Sequence, residues 1–157
     1  MALALQNLMV ATDFSEASEA AMAYAFRLAR TLSARLDIVH VVPEDDVNIL
    51  TALSARLQSH ITAETLREVL YVDADKRLAA LVEQAKASDV IQERLIVTGR
   101  PAETLISWAA SKQPEVLILG THRRRGLDHL LLGSVAERVL RQAPCAVLIV
   151  PAESTPT

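Results

Sequence analysis

The chain has little of several things, and each scarcity removes a class of function. Of its 157 residues one is cysteine, Cys145. That excludes an internal disulfide and suits a reducing compartment. Cys145 follows Pro144 and precedes an apolar run, so it reads as a small hydrophobe rather than a reactive thiol. Aromatic residues make up 3% of the chain while 51% is apolar, which leaves the core to Ala, Leu, Val and Ile. No apolar run approaches the roughly 20 residues of a membrane span. The polar residues Gln6, Asn7 and Asp13 come too early for a signal-like core. Positive charge is not in excess: the formal net charge is −3, which argues against nucleic acid or an anionic membrane as the main partner. These features predict a soluble cytoplasmic protein. Gly-x-Ser-x-Gly, Cys-x-x-Cys and Gly-Lys-Ser/Thr are all missing, so no catalytic constellation is expected.

What the chain does contain is a strand–helix alternation. Leu8-Met9-Val10-Ala11 predicts a strand buried on both faces. Thr12-Asp13-Phe14-Ser15 then offers helix-capping residues. Ala21, Tyr24, Ala25, Leu28 and Leu32 share one face of the helix that follows. A second strand over residues 36–42 stops at Pro43. In the long connection 44–88, Ile49, Leu50, Leu53 and Leu57 suggest a short helix. A longer one follows, with Leu66, Leu70, Ala74, Leu78, Leu81 and Ala85 as its apolar face and a break near residues 60–65. Residues 90–98 predict a strand whose Gln92, Glu93 and Arg94 suit a sheet edge. Pro101 opens a helix with Leu105, Ile106 and Ala109 inward. Strands over 116–119 and 146–150 flank a helix over 134–141. Residues 1–151 read as the domain and 152–157 as a flexible tail.

This order predicts an α/β fold with a parallel sheet, right-handed crossovers and helices on both faces. Ligands of such folds bind beyond the carboxyl ends of the strands, where strand order reverses. Thr12-Asp13 and residues 120–126 both follow apolar strands at that end. Residues 120–126 lead to Gly133-Ser134 at a helix start. Glycine there lets backbone N–H groups approach an anion, and a helix N-terminus adds unpaired donors. Plainer roles compete. Asp13 and Ser134 can be helix caps, Arg123, Arg124 and Arg125 a solvated surface, and His40 a hydrogen-bonded strand residue. Trp108 reads as packing, and Asp45, Asp46, Asp73 and Asp75 as solvated carboxylates. His122 and His129 lack partners at metal-ligand spacing, so no metal site is expected.

Several motifs in order resemble the universal stress protein family. They are Val10-Ala11-Thr12-Asp13-Phe14-Ser15, Gly99-Arg100-Pro101-Ala102-Glu103, Gly120-Thr121-His122, Leu130-Leu131-Leu132-Gly133-Ser134-Val135-Ala136-Glu137, and Ala143-Pro144-Cys145. The resemblance implies a five-stranded sheet of order 3-2-1-4-5 and a homodimer formed through the last strand, residues 146–150. It also implies a regulatory role in stress response and, for the ATP-binding members, a G-x2-G-x9-G-[S/T] pattern. Mapped onto this chain, the nucleotide-binding residues are Ala11, Thr12, Asp13, Val41, Gly120, His122, Arg123, Gly126, Gly133, Ser134 and Val135. By that mapping Asp13 contacts ribose, the Val41 backbone meets adenine, and Ser134 and Val135 meet the phosphates of ATP, with Mg2+ a possible companion.

Arg123 departs from the pattern, because the family has glycine there. If that position needs a positive φ, a side chain costs on the order of 1 kcal/mol and its Cβ crowds the phosphates. Conversely, a guanidinium can bind phosphate oxygens in bidentate fashion, each charge-assisted bond contributing roughly 1.5–3 kcal/mol. Three functions follow. The first is an ATP-binding regulatory module with little or no catalysis. The second is a stress protein that binds no nucleotide and acts through dimerisation and partner contacts. The third is a slow ATP hydrolase. Fast hydrolysis is not expected, since Asp13 is the only obvious carboxylate near the site.

Overall fold

The computed structural model describes residues 5–121 and 132–152. The elements among them are β1 (Asn7–Thr12), α1 (Glu16–Leu32), β2 (Arg35–Pro43), α2 (Glu44–Arg56), α3 (Ala63–Gln84), β3 (Ile91–Gly99), α4 (Pro101–Lys112), β4 (Val116–Thr121), α5 (Ser134–Gln142) and β5 (Ala146–Pro151). The five strands form one sheet in the order β3-β2-β1-β4-β5. Every pairing is parallel, with Val10 opposite Ile38 on one side and Ile118 on the other. The expected order 3-2-1-4-5 and the edge position of the third strand are both observed. Pro151, at the end of the predicted domain, closes β5. The tail predicted beyond it falls on residues 153–157, outside the described residues, apart from Ala152.

Side chains alternate across a strand, and β1 shows why two helical layers are needed. Leu8 and Val10 turn to one face, where Met22 and Phe26 of α1 and Leu78 of α3 cover them. Met9 and Ala11 turn to the other, against Leu105 of α4 and Val139 of α5. Leu36, Ile38, Leu117 and Ile118 are 0% exposed, each burial contributing roughly 1.5–3 kcal/mol. Among the described residues no helix is long and apolar enough to cross a membrane.

Helix faces depart from the sequence reading in three places. In α1, Ala21 and Ala25 are buried as expected, but Tyr24 and Leu32 are exposed, and Met22, Phe26 and Ala29 complete the inner face instead. The α2 residues Ile49, Leu50 and Leu53 and its C-cap Leu57 are solvent-exposed, and the buried residues of α2 are Val47 and Ser54. In α3 the buried stripe is Ala74, Leu78 and Val82, an i, i+4, i+8 row. Ala85 is the C-cap, past the last turn that touches the sheet, and is exposed. The break between the two helices ends at Thr62, whose side chain caps α3 by accepting from the Thr65 N–H.

Scarce glycine leaves a mark on the helix ends. A left-handed residue closes many helices, and glycine usually supplies it. Here Ser33 at φ 55° closes α1, Gln113 at φ 52° closes α4, and Lys86 at φ 51° follows α3.

Candidate functional site

The sheet changes winding direction between β1 and β4. The chain leaves β1 for α1 on one face, whereas the chain after β4 reaches α5 on the other. Connections that diverge in this way open a crevice at the carboxyl ends of the strands. The crevice is a cleft of about 810 Å³, within the roughly 300–1,000 Å³ of small-molecule sites. Ala11, Thr12 and Asp13 line it from the end of β1, Val41 from β2, Gly120 from β4, and Gly133, Ser134 and Val135 from the start of α5. Eight of the eleven residues mapped from sequence are thereby brought together. The other three, His122, Arg123 and Gly126, lie outside the described residues.

The turn from β1 into α1 is built from its own hydrogen bonds. Ser15 is the N-cap of α1, its hydroxyl accepting from the Ser18 N–H at 3.3 Å. Asp13 is therefore not the cap: its Oδ1 accepts from the Ser15 N–H at 3.0 Å, closing an Asx turn. Thr12 Oγ1 accepts from the Phe14 N–H at 3.0 Å and lies 3.0 Å from Ser18 Oγ. Behind the turn, His40 Nδ1 lies 2.9 Å from the Thr12 carbonyl oxygen. The carbonyl can only accept, so Nδ1 carries the proton. Burial opposes the Asp13 charge, but hydrogen bonds from Ser15 and Ser18 outweigh it and hold its pKa below the ordinary carboxylate value. Asp13 is thus an exposed, fully ionised acceptor at neutral pH.

Across the cleft stands the open end of α5. Its N-cap is Gly133, at φ −63° and ψ 157°, and Ser134 is the first helical residue rather than the cap. Among the described residues no side chain caps this helix, so the N–H groups of its first turn keep free donor capacity and the positive end of the helix dipole. The two glycines differ in kind. A Cβ at Gly133 would meet none of the described residues within 4 Å, whereas one at Gly120 would collide with the Ala17 carbonyl of α1 and sit 2.8 Å from Ser18 N. Gly120 is where β4 and the first turn of α1 touch backbone to backbone.

A model of the family described as "Universal stress protein family" matches residues 4–151. The chain belongs to that family. Universal stress protein MJ0531 of Methanocaldococcus jannaschii is 30% identical over 145 residues, which cover 92% of this chain and 81% of that protein. Among solved structures, MJ0577 of the same organism superposes with a TM-score of 0.73 at 21% identity, covering 98% of this chain and 100% of that one. A universal stress protein solved in complex with cAMP superposes with a TM-score of 0.60 at 25% identity, covering 96% and 99% of the two chains.

The cleft of this universal stress protein also holds residues that motif reading missed. Asp46, from the first turn of α2, stands at its rim with Pro43, and Pro101 and Leu105 enter from α4. Asp46 was read as a solvated carboxylate; it is exposed, yet it is a second carboxylate at the site beside Asp13. One signal pointed to it, since it lies three residues past Pro43, at the carboxyl end of a sheet strand. Among the described residues no three His, Cys, Asp or Glu side chains gather to hold a metal ion. Cys145 is half-buried against the second core cluster, and burial pushes its thiol pKa up, as a packing role requires.

Proposed function

We propose that this universal stress protein is a small cytoplasmic regulatory module that binds an adenine nucleotide, ATP, in the cleft between the β1–α1 turn and α5, with little or no catalysis. The observation that carries the reading is that one cleft joins an ionised carboxylate, Asp13, to a helix N-terminus at Gly133 that no described side chain caps. Those are the complements of a nucleotide's two polar parts. Asp13 accepts from ribose hydroxyls, and the first N–H groups of α5, at Ser134 and Val135, donate to phosphate oxygens. The apolar wall of Val39, Val41 and Leu105 suits the base. The relative solved with cAMP supports an adenine nucleotide as the class of ligand.

Charge sets one condition. The ionisable side chains among the described lining residues are Asp13 and Asp46, both acidic. A triphosphate therefore needs positive charge beyond the helix dipole. Arg123 and its neighbours are proposed to supply it, or Mg2+ arriving on the phosphates.

A second reading is that the protein acts without nucleotide, through a homodimer and partner contacts. Among the described residues the outer edge of β5 is unpaired, and its apolar residues 147–150 are only partly buried, which favours dimerisation there. Melting the native chain and Arg123→Gly with and without ATP separates the readings. Ligand at 100 times its dissociation constant stabilises by about 2.7 kcal/mol, or roughly 5–10 °C for a chain of this size. A shift in the native chain supports nucleotide binding. A shift in Arg123→Gly alone supports the nucleotide-free reading.

A further inference from the structure

Phe14 breaks a backbone rule at the most consequential place in the chain. Its φ is 62°, in the left-handed region that a bulky side chain rarely enters. It directly follows Asp13, and the two residues face different spaces. Asp13 lines the cleft, whereas Phe14 lines a separate groove of about 330 Å³ between the end of β2, α2 and α3. One turn thus presents consecutive side chains to two cavities, which also share Pro43 and Asp46. Such a conformation persists only where the surroundings over-determine it, and here they do. The Phe14 ring packs against His40 with centroids 4.5 Å apart and planes tilted by 44°. The Arg77 guanidinium, from α3, lies 4.0 Å from the ring centroid. His40 in turn donates from Nδ1 to the Thr12 carbonyl, one residue before Asp13. The backbone on both sides of Asp13 is therefore tied to the groove side of the sheet.

We propose that Phe14, held by its contacts with Arg77 and His40, is a positioning residue for Asp13, holding its carboxylate in the cleft at the geometry that ribose hydroxyls require. The inference rests on the nucleotide reading of the cleft. It explains why a strained residue stands where glycine or asparagine would be easier. The left-handed step turns the ring into the groove and the preceding carboxylate into the cleft, and the contacts of Phe14 with Arg77 and His40 fix that step. Arg77 also reaches Asp73 at 3.8 Å, but both side chains are more than half exposed, so this pair adds little.

The test combines calorimetric ATP titration with amide hydrogen exchange on the full chain. Arg77→Met keeps the aliphatic stem and removes the cation, Phe14→Leu removes the ring, and Asp73→Asn controls for the exposed ion pair. Arg77→Met is expected to weaken ATP by roughly threefold to fivefold, the worth of a partly exposed cation–π contact, and Phe14→Leu by more. On an Asp13→Ala background neither should weaken binding further, because their effect runs through that carboxylate. In the ligand-free chain both should speed exchange at the Ser15 N–H, which donates to Asp13 Oδ1, while Asp73→Asn changes neither readout. If Asp13→Ala weakens ATP but Arg77→Met and Phe14→Leu leave affinity and Ser15 exchange unchanged, the positioning role is overturned and the nucleotide reading survives. If the native chain binds no ATP, the nucleotide reading falls. Exchange at Ser15 then decides by itself whether these contacts hold the turn. Should Phe14→Leu fold poorly, Arg77→Met alone carries the decision.

Discussion

Replacing Gly120 by alanine is the sharpest structural perturbation available in this chain. A Cβ there would run into the Ala17 carbonyl and approach Ser18 N to 2.8 Å. Both belong to the first turn of α1, and helix backbone cannot rotate aside as a side chain can. Relief requires α1 to lift from β4. That would disturb Leu8, Val10 and Ile118, which are 2%, 0% and 0% exposed beneath it. Overpacking of this kind costs about 1–3 kcal/mol, and at roughly 2–4 °C per kcal/mol for a chain of this length the melting temperature should fall by about 2–12 °C. Gly133 is the internal comparison. Its φ is −63° and a Cβ would meet none of the described residues within 4 Å. Gly133→Ala should therefore cost only about 0.5 kcal/mol, from alanine being a poorer N-cap than glycine. Differential scanning calorimetry of the two variants beside the native chain is the assay. A Gly120→Ala melt within about a degree of native, or a larger loss at Gly133 than at Gly120, would refute the close-approach argument.

Two other predictions concern stability. Gln113→Gly relieves a left-handed C-cap at φ 52° and should stabilise by about 1 kcal/mol in urea denaturation; Ser33→Gly should do likewise at the end of α1. Asp37, on β2, is 7% exposed, and among the described residues its Oδ1 has no hydrogen-bond partner. Burial raises its pKa, Lys112 opposes that and Glu93 adds to it, and the result lies above the ordinary value of 3.8. A raised folded pKa means the folded state holds the proton longer than the unfolded one. The associated stability is present below the ordinary carboxylate pKa and is lost as pH rises through the folded value. Asp37→Asn, which cannot ionise, should therefore gain melting temperature over native as pH climbs from 3 to 7. A gain that is flat or that shrinks over that range would contradict the burial argument.

Much of the fold was legible because its signals are local. Short Val/Ile/Leu runs at 8–11, 36–42 and 116–119 mark strands buried on both faces, and the Gln92-Glu93-Arg94 interruption marks an edge. Charged residues there stay wet, with Arg94 reaching Asp75 at 3.1 Å. The strand order itself came through the family resemblance; alternation alone gives only a parallel sheet. Helix rotation was less legible. Ile49, Leu53 and Leu57 have helical spacing, but only packing decides that Val47 and Ser54 turn inward instead. The site divides in the same way. Thr12, Asp13 and Gly133 were legible as strand-end and helix-start residues. Pro43 closes β2, Asp46 and Pro101 lie just beyond the ends of β2 and β3, and it takes the assembled sheet to gather them at one cleft. Phe14 was read as part of a capping sequence and of a family motif but given no role of its own, because neither its left-handed φ nor its contact with Arg77, which lies 63 residues further along the chain, has a local signature.

The central claim is that one cleft holds an adenine nucleotide between Asp13 and the open N-terminus of α5. Isothermal titration of ATP with Mg2+ into the native chain and into Asp13→Ala tests it most directly. Loss of a charge-assisted hydrogen bond is worth roughly 1.5–3 kcal/mol, so the account predicts saturable binding to the native chain and an affinity about 10- to 150-fold weaker in Asp13→Ala. No heat of binding in the native chain, or equal affinity in the two proteins, would contradict it.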